Sequence, residues 1–396
     1  MKQINLKKYI FLPVIFFAII ILFTINQKVH ADEYLVVLSS LSQKTTIESG
    51  THKDTLKLKN DESIIDNIPY TDEIIITGKT ESGFIIVEGN VPYANVTFLN
   101  LSIDTSYIRN QAAFLINSNS NVQINLKGKN FLKSGNNFAG LQVNECSTLC
   151  IYSESNENTL TAIGGINSAG VGSGCTMFGS AKSNSHAGTI IILGGTINAF
   201  GGACGAGIGG GYKSGSSIID IQGGIIKAIG GNSAAGIGGG KEGSGSITKI
   251  TNADVTVTVK CDEKNESGAG IGGGAKAESG MIIITHSTIK ASGGICSSIS
   301  CGAGIGGGAH AKSNIISITQ SVIYSNSSSG AGIGGGFGAT YQRIEINHSS
   351  VTSKSNTGSG IGGGYNSRID KNSSICILES TLCVSSISIG NRIKLT

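Results

Sequence analysis

The sequence predicts an all-β fold, a right-handed single-stranded parallel β-helix of about eleven coils with an N-terminal cap. Three observations predict it. A glycine-rich hexapeptide recurs along the chain. Apolar and polar residues alternate between its copies. The composition sets 59 Gly against 3 Pro while keeping an ordinary 39% of hydrophobic residues. The first observation supplies a repeat, the second supplies strands with one buried face, and the third describes a chain that turns tightly yet retains an interior. With no G-x-y triplet the glycine excludes collagen, and the apolar fraction argues against a disordered linker.

Taken in order, the chain begins with a targeting segment. Lys2, Lys7 and Lys8 precede an apolar run from Tyr9 to Ile25, and Val29-His30-Ala31 offers small residues before Asp32. Residues 1–31 read as a secretory signal peptide, with an uncleaved N-terminal anchor as the alternative. Residues 32–71 lack the repeat and are expected to cap the open end of a β-helix at 72–396, because an uncovered coil is an unpaired sheet edge. The helix then opens with three strand-like stretches over 72–103: Asp72 to Gly78, Phe84 to Gly89 and Val96 to Ile103.

The hexapeptide follows. It is Ala169-Gly170-Val171-Gly172-Ser173-Gly174 at first, then AGIGGG from Ala206, Ala235, Ala269, Ala303 and Ala331, and SGIGGG from Ser359. Degraded copies stand at Ala139-Gly140-Leu141 and Ile389-Gly390. The central apolar residues from 171 to 389 are separated by 37, 29, 34, 34, 28, 28 and 28 residues, so the basic unit is 28 with insertions. Between copies the same four apolar positions recur: Ile219, Ile221, Ile226 and Ala228 in one unit, Ile282, Ile284, Ile289 and Ala291 in another. One coil cannot bury its own apolar face, but stacked coils can, and right-handed crossover is the strong default for parallel strands. The hexapeptide Ile residues should therefore form one buried column. The insertions at 176–187, 260–267 and 295–300, polar or small, should protrude at corners. A phosphate-binding reading of the glycines fails, since that needs one loop between a strand and a helix and this chain has at least six copies with no helical period after them.

The stretches IIITGKTESGFIIVEGNVPYANVTFLNLSI (74–103) and NLKGKNFLKSGNNFAGLQV (125–143), leading into LTAIGGINSAGVGSG (160–174), resemble a family of secreted bacterial AGIGGG-repeat β-helix proteins. The resemblance covers roughly 74–396. It implies an exported protein of carbohydrate-binding or adhesin type and carries no catalytic residues across. The chain departs from that family in its nine Cys and in showing no appended wall-anchoring or Ig-like module.

Charge and reactive residues narrow the function classes. Leaving out the four Lys of 1–31 reduces the 29 basic residues to 25, equal to the 25 acids. A neutral surface gives no reason to expect nucleic acid, and a membrane enters only through an uncleaved N-terminal segment. The nine Cys lack C-x-x-C spacing and read as small hydrophobic residues in the core or at corners, with a disulfide framework as the alternative, and no metal or cofactor is indicated. His286, His310 and His348 stand singly and read as solvated. Glu263 and Glu266 fall in a charged insertion. Asp220 and Lys249, equivalent on neighbouring coils, read as a surface ion pair. No Asp-Asp pair supplies the clustered carboxylates of a polysaccharide-cleaving enzyme, so the chain is read as a non-enzyme.

The residue after each glycine run is Tyr212, Lys241, Ala275, Ala309, Phe337 and Tyr365. Aromatic rings stacked along a rod offer apolar platforms for sugar faces, with polar neighbours to address hydroxyls. Tyr212, Phe337, Tyr365, Asn366 and Arg368 are the expected carbohydrate-binding residues, the alternative being a corner stack that shields backbone. The expected partner is a polysaccharide or glycoconjugate, or a host or cell-surface protein, met outside the cell or at its surface. A lyase or glycoside hydrolase on the same fold and an inert stalk are the competing classes.

Overall fold

The computed structural model describes residues 33–37, 55–58 and 73–395, except 82, 88, 110, 176–185, 217, 246, 262–265, 295–299, 369–370 and 388–391. It is a right-handed parallel β-helix. Each coil has three strands, and each strand lies on its equivalent in the next coil. In one coil these are Ile218–Ile221, Ile225–Gly230 and the two-residue strand Ile237–Gly238. They form three columns. The first two belong to one continuous sheet, because the long strands Glu73–Thr80 and Ala94–Asp104 run through both columns. Among the described residues the third column is a separate sheet of eleven strands.

Register follows the repeat. Val171, Ile208, Ile237, Ile271, Ile305, Ile333 and Ile361 are aligned coil on coil and all are fully buried. Leu141 precedes them in the same column. Ile219, Ile221, Ile226 and Ala228 line the other two walls of that core, as do their equivalents Ile282, Ile284, Ile289 and Ala291. At the far end Ile361 bridges Ile387, two residues short of the expected copy at Ile389, which lies outside the described residues. The last coil is shorter than 28 residues because it has lost its AGIGGG corner.

The signal peptide expected over 1–31 lies outside the described residues. Within 32–71, Glu33–Val37 pairs with Glu73 to Thr77, and Thr55–Leu58 pairs with Phe84 to Val87. The segment expected to cap the helix thus contributes one more rung to the first and third columns. Half or more of each insertion also lies outside the described residues, but the described ends correct the expected limits. Ala187 and Ser267 are fully buried and belong to the coil. Ser267 Oγ donates to the Gly293 carbonyl and accepts from Gly302 N–H, both at 2.9 Å.

A buried serine ladder runs along the turn between the first and second columns. Ser287, Ser321, Ser349 and Ser380 occupy equivalent places on four coils. Each Oγ donates to the carbonyl two residues back at 2.7 Å. Each also accepts an N–H from the preceding coil: Ala253 N, Ser287 N, Ser321 N and Ser349 N, at 3.0–3.2 Å. The hydroxyls close the hydrogen-bonding account where the turn interrupts the strand ladder. Removing one leaves a buried N–H with no acceptor. Ser321→Ala should cost about 1–3 kcal/mol, seen as a lower melting temperature by circular dichroism.

Candidate functional site

The corner joining the third column to the next first-column strand carries the candidate site. Its geometry is best counted from the central Ile of each hexapeptide. The fifth residue after that Ile has positive φ on six successive coils: Lys213 at 56°, Glu242 at 57°, Lys276 at 63°, His310 at 61°, Gly338 at 71° and Asn366 at 59°. Left-handed backbone costs a non-glycine residue about 1–2 kcal/mol, and a coil-to-coil hydrogen bond offsets it here. Lys276 N–H donates to the Ala309 carbonyl and His310 N–H to that of Phe337, each at 2.8 Å, and Gly338 N–H to that of Tyr365 at 2.7 Å. The conformation leaves the side chains of Lys276, His310 and Asn366 exposed.

On the last four AGIGGG-type coils this corner forms an open groove of about 620 Å³. Small buried residues at the sixth position, Ala311 and Ala339, line its floor. Glu278, Lys312, Thr340 and Arg368, at the seventh position, form one wall. Lys276, His310, Phe337 and Asn366 form the other. The groove runs along the helix axis because every wall is a column of equivalent positions. Its four rungs, spaced by about 4.8 Å, span roughly 14 Å.

An aromatic ladder stands in and above the second wall. The His310 ring meets Phe337 edge-on, with centroids 5.2 Å apart and planes at 80°. Phe337 and Tyr365 lie 6.0 Å apart at 38°. Phe337 is half-buried, while Tyr365 is 51% exposed. The structure thus brings together four of the expected residues, Phe337, Tyr365, Asn366 and Arg368. It sets Tyr212 four coils away in the same column, separated from Phe337 by Lys241, Ala275 and Ala309. Tyr212 instead lies beneath two ammonium groups, Lys213 Nζ at 5.5 Å and Lys241 Nζ at 6.0 Å from its ring centroid.

His310 and His348 are solvent-exposed as expected, and each also faces a carboxylate. His310 Nε2 lies 3.6 Å from Glu266 Oε1, and Lys276 Nζ lies 3.3 Å from Glu266 Oε2. The charged insertion therefore folds its described end back onto the head of the groove rather than standing away from it. Cys261, near the start of the insertion, is disulfide-bonded, which corrects the reading of every Cys as a packing residue. His348 Nε2 is 2.7 Å from Glu379 Oε2. Cys150, Cys376 and Cys383 lie within strands, and Cys146, Cys175, Cys204 and Cys301 lie in the connections; burial pushes the thiols of Cys150 and Cys204 up from their ordinary range.

Many carboxylates face cations. Asp220 pairs with Lys249 at 4.0 Å as expected, Glu242 with Lys213 at 3.9 Å, and Glu345 with Arg343. Asp104 lies 3.4 Å from Lys133 Nζ. Burial alone would raise its pKa, but hydrogen bonds from Ser106 and the Lys133 ammonium outweigh that and hold it below the ordinary carboxylate value.

Of the seventh-position wall the sequence marked Arg368 alone, and Glu278, Lys312, Thr340 and the alanine floor went unmarked. They were accessible, since Lys312, Thr340 and Arg368 share one register with Phe337 and Tyr365. A column is visible from sequence only when its chemistry repeats, and Glu278, Lys312, Thr340 and Arg368 do not.

A family model described as a β-helix repeat matches residues 190–212, 219–241 and 344–365. Each matched segment ends on the fourth corner position, at Tyr212, Lys241 or Tyr365, so the repeat and the coil share one frame. The chain carries β-helix repeats. No curated protein and no solved structure matches it.

Proposed function

We propose that this is an exported, non-catalytic β-helix protein that binds glycan, free or on a cell surface, through the corner groove beside Phe337 and Tyr365. The observation that carries this reading is the offset pair of aromatic rings, one half-buried and one half-exposed, standing over a groove with polar walls. A half-buried Phe gives a fixed apolar surface, and an exposed Tyr extends it without losing its hydroxyl to the interior. Asn366 and Thr340 offer donors and acceptors on opposite walls. Export is supported by the Lys-rich start, apolar run and small residues of 1–31. A binding role is favoured over cleavage by the pairing of Glu266, Glu242, Asp220 and Glu345 with bases, since hydrolysis of a glycosidic bond needs two uncommitted carboxyl groups across it.

The test is a glycan array followed by calorimetry on the Tyr365→Ala variant. Losing a stacking ring should weaken binding by about 1–3 kcal/mol, by analogy with aromatic platforms for bases. The melting temperature should change little, because a half-exposed corner residue contributes little to stability. A steep fall in melting temperature with unchanged affinity for every bound glycan would make the rings structural. Release of shortened products during the titration would establish an enzyme.

A further inference from the structure

The groove has a charge bias that the chain as a whole lacks. Its walls carry Lys276, Lys312 and Arg368 against the single acid Glu278, whereas residues 32–396 balance at 25 basic and 25 acidic residues. The cations are not equivalent. Lys276 is engaged by Glu266. Lys312 and Arg368 stand on the opposite wall, two coils apart, with Thr340 between them. Both are exposed, and among the described residues neither has an acidic partner within 4.0 Å. Lys312 and Arg368 belong to one column of equivalent positions and line the same groove as the Phe337 ring. A sugar lying in the groove would put one face against the aromatic wall and its edge substituents against the cationic wall.

Resting on the glycan reading above, we infer that the ligand is an acidic polysaccharide, one bearing carboxylate or sulfate groups, with Lys312 and Arg368 as the anion-binding residues. A neutral glycan would leave two cations facing a chain that cannot pair with them. An anionic one forms charge-assisted hydrogen bonds there, bidentate in the case of Arg368 with a carboxylate. The regular rungs suit a polymer with a charge on recurring units better than a single small anion, because the cations occupy separate rungs of one column.

The experiment uses the full chain and three probes of one linkage: a uronic-acid oligosaccharide, its methyl ester and the neutral parent sugar. The acid should bind tighter than the ester, and its affinity should fall as salt rises. Arg368→Gln and Lys312→Gln should each weaken acid binding by about three- to ten-fold. Ester binding should fall less than acid binding in both variants, because only the acid loses a charge-assisted contact, and the melting temperature should change little, since both side chains are exposed. A sulfated oligosaccharide run in parallel separates sulfate from carboxylate preference and supports the inference in either case. Equal binding of acid and ester, or acid binding indifferent to both substitutions, overturns the anionic assignment and leaves the glycan reading standing. Binding of none of the probes, and of no other glycan, by the folded chain overturns both.

Discussion

Gly306→Ala is expected to destabilise the helix by on the order of 3–5 kcal/mol, beyond the usual range for a single substitution. The reason is local and has two parts. Gly306 sits at φ 139°, a region that L side chains rarely adopt. A Cβ built there would lie 1.9 Å from the Gly334 carbonyl oxygen of the next coil. That oxygen accepts the Gly307 N–H at 3.0 Å, so it cannot move aside without breaking the ladder that joins the coils. Gly272 and Gly334 repeat the arrangement at φ 134° and 135°, and the strain cannot be relieved by shifting the column. Gly338→Asn is the matched control. Its φ of 71° lies in the same left-handed region as Asn366, and its nearest neighbour is the flexible His310 ring at 3.3 Å. Circular dichroism melts of the two variants should differ sharply, with Gly338→Asn near the parent. Equal melting temperatures would mean that the coils are not stacked at this spacing.

Ile305→Ala should cost about 2–5 kcal/mol, and Ile305→Val about 0.5–1.5 kcal/mol. Ile305 is fully buried between Ile271 and Ile333. The cost reaches the upper part of that range only where the site cannot collapse, and here the backbone is pinned. Ile271 N–H donates to Gly304 and Ile305 N–H to Gly332, each at 3.0 Å. A solenoid repeat contacts only its neighbours, so the loss should concentrate in the coils around 271 and 333. Denaturant unfolding gives the magnitude, and hydrogen exchange gives its position. Uniform loss of protection along the whole chain would point to one cooperative core rather than nearest-neighbour coupling.

The parts legible in the sequence were those whose chemistry repeats. Ile208 to Ile361 announced a column because the same residue recurs in the same hexapeptide, and the glycines announced corners because only one residue type fits there. The Phe337–Tyr365 pair was legible for the same reason, one 28-residue unit apart. What stayed hidden depended on polar residues placed inside. Nothing in the local sequence marks Ser287, Ser321, Ser349 and Ser380, and only the hydrogen bonds from the preceding coil show why they are needed. Glu266 read as part of a protruding loop because the fold-back that brings it to His310 and Lys276 is long-range. The shift from Ile389 to Ile387 arose because a spacing was extrapolated past the point where the corner motif had been lost. The two strands within 32–71 carry no glycine corner, so nothing in their local sequence marks them as a rung.

The central claim is that ligand contacts the aromatic wall of the corner groove. The chain contains no Trp, so Tyr365→Trp places a single reporter at that wall with its ring in the same half-exposed position. Titrating the variant with the glycan that the parent binds best should shift the Trp emission to the blue and saturate at the calorimetric Kd, because the bound sugar displaces water from the ring. An unchanged emission spectrum while calorimetry records full binding would place the ligand elsewhere on the rod and contradict the assignment.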